Sequence, residues 1–528
     1  MTYLDWVDRF SRLTKTARAD LRREIDALPI RPLISIILPV YNGSLRFLDE
    51  AVTSVRKQIY QHWEICLVDD ASTDPRMKPF LEDLAGGDPR IQLLLRESNG
   101  HISACSNSAL ALARGEWCAL LDQDDALAEN ALAEVVCEIS RYPDASIIYS
   151  DEDFLDASGA RTNPFFKPDW NPELFLAQNY LNHLGVYRTS LLREIGGFRE
   201  GFEGSQDYDL ALRCVARSRS EQIRHIPRLL YHWRMAEGSL AEQPDAKPYA
   251  RHAARRALNS YLADCGIKAE AVACPHNPES HRVVYEQASP LPQVSIVSEA
   301  RGEAFAKTDY PSWEIINAAA GAAEANVAAG RARGEVLVFL HREVETTEPG
   351  WLSELVSHVV RPEVGAAGGR LWSGAGKLED GALVLGLGGI AAPPFRGLPR
   401  EHPGYFNRAW LQQNFSAVSA ACLAVRRDLF EELGGFDTEN LPYHFYEIDF
   451  CLRLRERNLQ VVWTPYANLI LSGTGTQPGS DSSAEATFLR NRWGHELLHD
   501  PSYNPNLSLD LPGFVLAIPP RDDRDTAL

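Results

Sequence analysis

The chain lacks three things that would each have decided its class. None of its nine cysteines, at 66, 105, 118, 137, 214, 265, 274, 422 and 451, forms a Cys-x-x-Cys pair, and the count is odd. That spacing argues against a zinc ribbon or a disulfide framework and fits reduced thiols in a cytoplasm. Basic residues are outnumbered: 53 Lys and Arg face 72 Asp and Glu, a net charge of −19. Nucleic acid is therefore not an expected partner, because phosphate neutralisation needs a basic face. The same charge gives no attraction to an anionic membrane surface. Long apolar runs are missing too. The longest weakly apolar stretch, 381–394, is too short and too rich in Gly and Pro to span a bilayer. Asp5, Asp8 and Arg9 interrupt any apolar leader. The expectation is a cytoplasmic protein whose membrane association, if any, is peripheral on the cytoplasmic face.

What is present is an alternation. Short apolar runs at 33–40, 63–68, 91–95 and 117–121 are separated by helical patterns at 48–58 and 102–113. Fully apolar strands between helices predict an α/β fold with a largely parallel sheet covered on both faces. Polar residues gather just after each strand, where ligands bind in open α/β sheets. At 528 residues the chain has room for two or three domains. The pattern divides it into a helical segment (1–30), a first α/β domain (31–240), a connector (241–292), a second α/β domain (293–500) and a tail (501–528). Residues 3–28 carry apolar positions at helical spacing, and are expected to pack on the domain that follows.

The two α/β domains are copies of one pattern. Ala-Arg-Gly-Glu occurs at 113–116 and again at 332–335, and Gly115 and Gly334 each lie seven residues before a strand-end position. In the first copy that position opens Asp122-Gln123-Asp124-Asp125; in the second it opens His341-Arg342-Glu343-Val344. Tyr60-Gln-His-Trp-Glu-Ile matches Tyr310-Pro-Ser-Trp-Glu-Ile, and on that register Asp69 and Asp70 become Ala319 and Ala320. Gly196-Gly-Phe198 matches Gly434-Gly-Phe436, and Asp207-Tyr-Asp209 matches Glu447-Ile-Asp449. Trp63 to Gly115 spans 52 residues, whereas Trp313 to Gly334 spans 21, so a strand and helix are largely missing from the second copy. The expected result is one working domain fused to a degenerate one.

Each acidic motif has a chemical and a plain reading. Asp122 and Asp124, two apart at a strand end, suit a shared Mg²⁺ or Mn²⁺ that would neutralise a leaving diphosphate; a solvated acidic turn is the commoner explanation of such a triplet. A carboxylate of Asp69-Asp70 suits a nucleobase imide, or equally a turn with Ser72 and Thr73. Asp207 and Asp209 open a helix, where acids are often only dipole partners, but one facing an acceptor could act as a general base. His232, in Tyr231-His-Trp-Arg234, is by itself more often structural than a ligand.

Taken together and in order, these elements resemble a family 2 glycosyltransferase of the GT-A fold. They run from Ser35-Ile-Ile-Leu-Pro-Val-Tyr-Asn42 and Val68-Asp-Asp-Ala-Ser-Thr-Asp74, through Asn107 to Arg114-Gly-Glu116 and Asp122-Gln-Asp-Asp125. They continue with Gly196-Gly-Phe198, Gln206-Asp-Tyr-Asp-Leu210 and Tyr231-His-Trp-Arg234. Tyr149-Ser-Asp-Glu-Asp153, Lys167-Pro-Asp-Trp-Asn-Pro172 and Gln178-Asn-Tyr180 are similar to tandem, rhamnosyltransferase-like enzymes of bacterial O-antigen and surface-polysaccharide pathways. The resemblance implies two GT-A domains in tandem, the second degenerate. It implies that Pro39, Tyr41, Asp69 and Asp70 bind the base of a UDP- or dTDP-sugar. Asp122 and Asp124 would hold the diphosphate and a divalent metal, Mn²⁺ or Mg²⁺, with His232 completing the metal site. Asp207 would be the base that activates the acceptor, and Trp170, Asn179 and His183 would lie near that acceptor, a glycan or lipid-linked glycan. Transfer would invert the anomeric centre. Ser106 departs from the Arg common in the family before position 107, so a phosphate contact is expected from elsewhere. Leu471-Ser472 falls near the place of the second copy's missing histidine.

Two rivals remain on the residues alone. A bifunctional enzyme would need Glu343 or Glu447 to work in the shortened copy. A non-catalytic glycan-binding scaffold would need Asp122, Asp124, Asp207 and His232 to be idle. A nucleotidyltransferase would need a Gly-rich basic loop after the first strand, and Pro39-Val-Tyr-Asn-Gly43 is not one.

Overall fold

A computed structural model describes residues 1–235, 248–300, 302–473 and 483–521. It divides into an N-terminal unit, 1–170 with 179–267, and a C-terminal unit, 171–178 with 268–528. The position 240, where the sequence pattern ends its first domain, lies outside the described residues, as do 522–528 of the tail.

The N-terminal unit is built on one mixed sheet. Its strands are β1 (Ile34–Val40), β2 (Trp63–Asp69), β3 (Ile91–Leu95), β4 (Trp117–Leu120), β5 (Ala126–Leu127), β6 (Ile147–Leu155), β7 (Arg161–Phe165), β8 (Gly185–Arg188) and β9 (Ile223–Arg234). The order is β3-β2-β1-β4-β8-β6-β9-β5, with β7 beside β6. The first four strands are parallel, and β8 runs antiparallel between β4 and β6. β1 and β2 are buried nearly throughout, as their unbroken apolar runs require. Ile36, Leu38, Trp63, Ile65 and Trp117 sit in one core with the helices at Leu45–Arg56 and Ala131–Arg141. In register, Val40 faces Asp69 and Ile37 faces Leu120, so the loops after β1, β2 and β4 leave the sheet at one edge.

The expected N-terminal helix is broken. Helix Tyr3–Trp6 and the turn Val7–Ser11 precede a second helix, Lys15–Ala27, whose N-cap Thr14 accepts from Ala17 N at 3.0 Å. That cap competes with continuation of the first helix. The segment packs on its domain as expected: Trp6 is buried, its ring 5.4 Å from that of Phe166.

The C-terminal unit repeats the sheet with one strand fewer along its path. Its order is Trp313–Asn317, Val294–Ser298, Val336–Leu340, Cys422–Arg426, Val364–Ser373, Gln460–Leu471, Val344–Thr346. No strand equivalent to β3 lies beyond Trp313–Asn317 among the described residues. The hairpin Ala269–Ala273 with His281–Tyr285 belongs to this unit. So does helix Pro172–Ala177, whose buried Glu173 pairs with Arg361 and accepts from Gln412. Asn171 anchors it through reciprocal hydrogen bonds with Asn414, 2.8 Å and 2.9 Å.

The repeated wording marks scaffold. Ser35 Oγ donates to Glu64 (2.7 Å) and accepts from Gly115 N (2.9 Å), while Arg114 N donates to Glu64 (2.7 Å). Ser295, Glu314, Gly334 and Arg333 repeat the clasp at 2.8 Å for each of these bonds. A side chain is impossible at the glycine: a Cβ on Gly115 would lie 2.4 Å from Leu33 O, and one on Gly334 2.5 Å from Ser295 N. Asn107 holds Phe198 through N–H and C=O at 2.8 Å and 2.7 Å, and Asn326 holds Phe436 in the same way. Asn107, part of the family-like wording, is thus a structural clamp on the Gly-Gly-Phe turn.

Candidate active site

A small pocket of about 40 Å³ opens at the strand-end edge of the N-terminal unit, and Pro39, Ser106, Asp122, Asn182, His183 and Asp207 are among its walls. Four of these were expected from the sequence. They come from β1, the end of β4, the segment before β8 and the helix Gln206–Val215. Ser106 lines the pocket where the family's usual Arg is absent.

Asp207 stands at the start of its helix, and its Oδ2 accepts from Asn179 Nδ2 (3.1 Å) and Asn182 Nδ2 (2.5 Å). Asn179 Oδ1 is buried with no hydrogen-bond partner among the described residues. Asp209 has a different task two residues on. It is 1% exposed and is held by Arg213 Nε at 2.9 Å and by Arg199 Nε at 3.0 Å. Arg213 in turn donates to Ile195 O and Gly197 O, tying the helix to the Gly-Gly-Phe turn.

The acidic triplet also divides. Asp125 is fully buried, accepting from Tyr231 Oη (2.6 Å) and Arg234 N (2.8 Å), and burial pushes its carboxyl well up. Asp122 and Asp124 are partly exposed, the side chain of Asp122 by 46%. Gln123 binds the loop after β1, accepting from Tyr41 N (3.1 Å) and donating to Tyr41 O (3.3 Å). Tyr41 itself is 44% exposed beyond the pocket, and Asn42 knits its loop to Ser72, Thr73 and Asp74.

His183 lies at the centre rather than only toward an acceptor. Its Nε2 is 3.9 Å from Asp122 Oδ2, its Nδ1 is 3.3 Å from Glu152 Oε2, and its ring stacks on Tyr231 at 4.6 Å. Burial alone would lower its pKa, but Glu152, Asp122 and Asp125 overcome this and raise it to about 9. Glu152 and Asn182 were not singled out from sequence; Glu152 lies within the Ser-Asp-Glu-Asp wording, and Asn182 lies two residues beyond Gln178-Asn-Tyr180. Trp170 is half-buried, and the structure gives it no place in the pocket wall.

Asp70 is already engaged, by Arg96 Nη1 and by Gly100 N at 3.0 Å. Asp69 Oδ2 accepts from Ser72 N (3.1 Å), while its Oδ1 is buried with no hydrogen-bond partner among the described residues.

His232 Nδ1 is 2.6 Å from Asp153 Oδ1, and Asp153 is braced by Tyr3 Oη and Arg161 Nε, each at 2.5 Å. A carboxylate on one ring nitrogen leaves Nε2 as the nitrogen able to ligate, the usual arrangement behind a metal-binding histidine. No three His, Cys, Asp or Glu side chains stand together as a metal cage among the described residues. The donors still fit Mg²⁺ or Mn²⁺, which take one or two carboxylates and complete their shell with water and substrate phosphate.

The C-terminal unit has lost these groups in register. Trp117 faces Arg188 as Val336 faces Arg426, and counted back along the sequence from that register Ala417, Ala420 and Ala421 answer to Asn179, Asn182 and His183. Ala126 faces His232 as Glu345 faces Ile470, so Ile470 takes the histidine's place, one residue before the Leu471-Ser472 expected from sequence. The structural acid survives: Asp449 binds Arg453 Nε (2.7 Å) and Trp493 Nε1 (2.9 Å).

Residues 35–196 match the family described as Glycosyl transferase family 2. The chain carries a family 2 glycosyltransferase domain. It is 39% identical over 567 residues to the uncharacterized protein y4gI of Sinorhizobium fredii, covering 98% of this chain and 62% of that protein. It is 35% identical over 543 residues to the O-antigen biosynthesis protein RfbC of Myxococcus xanthus, covering 94% of this chain and 42% of that one. The chain therefore spans less than two thirds of the length of either relative. Among solved structures, S. aureus TarS 1–349 in complex with UDP-GlcNAc matches 44% of this chain and 66% of its own at 20% identity, with a TM-score of 0.36. The two α/β units agree with the tandem GT-A fold expected of the family. No helix among the described residues is long and apolar enough to cross a membrane.

Proposed function

We propose that the N-terminal unit is an inverting, metal-dependent glycosyltransferase that moves a sugar from a UDP- or dTDP-sugar to a bacterial surface-polysaccharide or O-antigen acceptor, on a glycan or lipid-linked glycan at the cytoplasmic membrane face. What carries the reading is one pocket that joins Asp122, from the strand-end acidic motif, to Asp207, a carboxylate aimed by two asparagines. The family of residues 35–196 and the O-antigen name of one relative support it.

Pro39, Tyr41, Asp69 and Asp70 serve the nucleobase. Asp122, Asp124 and His232 would hold a divalent cation, which when bound neutralises the departing diphosphate. Asp207 takes the proton of the acceptor hydroxyl, and that oxygen attacks the anomeric carbon from the face opposite the nucleotide. His183 sets a positive charge beside Asp122 on the diphosphate side. The C-terminal unit, without counterparts of Asp70, Asp122, Asn182 or His232, performs no transfer.

The test is calorimetric titration of UDP and dTDP with Mn²⁺ into the chain and into Asp122→Asn/Asp124→Asn. One metal-dependent site per chain, lost in the variant, is expected. Two sites, or one that survives the substitutions, would overturn the single-site reading; no binding of either nucleotide would overturn the transferase reading.

A further inference from the structure

A hollow larger than the catalytic pocket lies in the degenerate unit. A cavity of about 350 Å³ lies between the start of helix Tyr446–Glu456 and the strands around Asp380–Ala392, against about 40 Å³ for the catalytic pocket. Its walls have two sources. Ala420, Tyr446 and Glu447 belong to the repeated pattern, whereas Leu383, Leu387 and Pro393 come from the segment that builds a separate small sheet, Ala391–Ala392, Ala382–Leu385 and Ala417–Val418. The volume is within the size range of small-molecule sites.

The walls are mixed in a particular way. Leu383, Leu387 and Pro393 give apolar surface, and Tyr443, 69% exposed, stands at the rim with Tyr446 inside. Asp380 is fixed by Ser419 Oγ (2.7 Å) and Gly381 N (2.8 Å), and Glu447 occupies the place of Asp207. Fixed carboxylates accept hydroxyl hydrogens, and tyrosine rings cover the C–H faces of a pyranose while their hydroxyls stay wet. A diphosphate would meet two carboxylates here. The guanidinium in its wall is Arg396, whose Nε is turned to Glu379 O at 3.0 Å.

We propose that this cavity is a second carbohydrate site, which binds a neutral saccharide without transferring it. The inference rests on the transferase reading above for the class of ligand. Burial, helped by Asp380 and Glu485, raises the Glu447 carboxyl to about 7, which suits a group that both donates to and accepts from sugar hydroxyls. The site would hold a glycan chain while its end is extended in the N-terminal unit.

Saturation-transfer NMR on the whole chain tests this, with methyl glycosides of glucose, galactose, mannose and N-acetylglucosamine as probes and glucuronate as the anionic control. At least one neutral glycoside should saturate, and Asp207→Asn should keep the signal. Tyr443→Ala, a change at an exposed side chain, should weaken binding roughly tenfold through the lost ring face. Ala420→Trp should abolish it by filling the cavity. No saturation by any neutral glycoside, signals that survive both Tyr443→Ala and Ala420→Trp, or stronger binding of glucuronate would each overturn the proposal. Release of nucleotide from UDP- and dTDP-sugars by the unaltered chain separates the two readings. Release without saccharide binding sinks the second site alone; saccharide binding without release sinks the transferase.

Discussion

Asp207 and Asp209 lie two residues apart on one helix, and the structure gives them opposite work. Replacing Asp207 by Asn keeps the shape and leaves an oxygen to accept from Asn179 or Asn182. The expected change in stability is within about 1 kcal/mol, the net value of an ordinary hydrogen bond. Its chemistry should suffer instead. Loss of a general base costs about 10²–10⁴ in rate, or roughly 3–5 kcal/mol of barrier. Asp209→Ala should do the reverse. It leaves Arg213, 13% exposed, and Arg199 without their carboxylate. Breaking one side of a buried charge pair costs about 3–5 kcal/mol. For a unit of this size that corresponds to a melting shift of roughly 6–20 °C. Nucleotide release from a sugar nucleotide and a thermal melt, run on both variants, give the comparison. The reasoning fails if Asp207→Asn turns over within fivefold of the unaltered chain, or if Asp209→Ala slows turnover while leaving the melt in place.

Other consequences follow from the same structure. Gly334→Ala should destabilise the C-terminal unit by about 1–3 kcal/mol, since its Cβ collides with the clasp at Ser295; an unchanged urea midpoint would remove the clasp from the account. Glu173→Ala should lower the stability of that unit by about 3–5 kcal/mol by leaving Arg361 buried and unpaired, and denaturant unfolding reads it directly. His225 lies between Asp151 and Asp169, 2.9 Å from each; burial would lower its pKa, but these acids raise it to about 9. A raised folded value means stability fully present below pH 6.5 and lost as pH climbs through 9, up to about 3 kcal/mol. Urea midpoints at pH 6.5 and 9.5 should differ accordingly. His225→Gln should flatten the slope in part, because His183 is raised to about the same value; an unchanged slope would contradict the assignment.

The first four strands, their parallel sheet, the duplication and the missing strand of the second copy were all legible in the sequence. Apolar runs bury themselves wherever the chain leads, and Ala-Arg-Gly-Glu repeats because a backbone passes 2.4–2.5 Å from where a Cβ would be. Pro39, Asp122, His183 and Asp207 could be named from the family resemblance, and in the structure strand ends and a helix start bring them to one pocket. The division of labour inside each motif was not legible. Asp122 and Asp125, or Asp207 and Asp209, are alike as letters; only the pairing of β5 with β9 and the turn at Gly197 make one member of each pair a buried tie. Asn182, Glu152 and the cavity behind Ala420 were invisible for the same reason. Their partners lie 25 to 31 residues away or belong to another strand, so the contact exists only once the register is set. Sequence determined which residues could do chemistry; tertiary packing decided which ones are left open to do it.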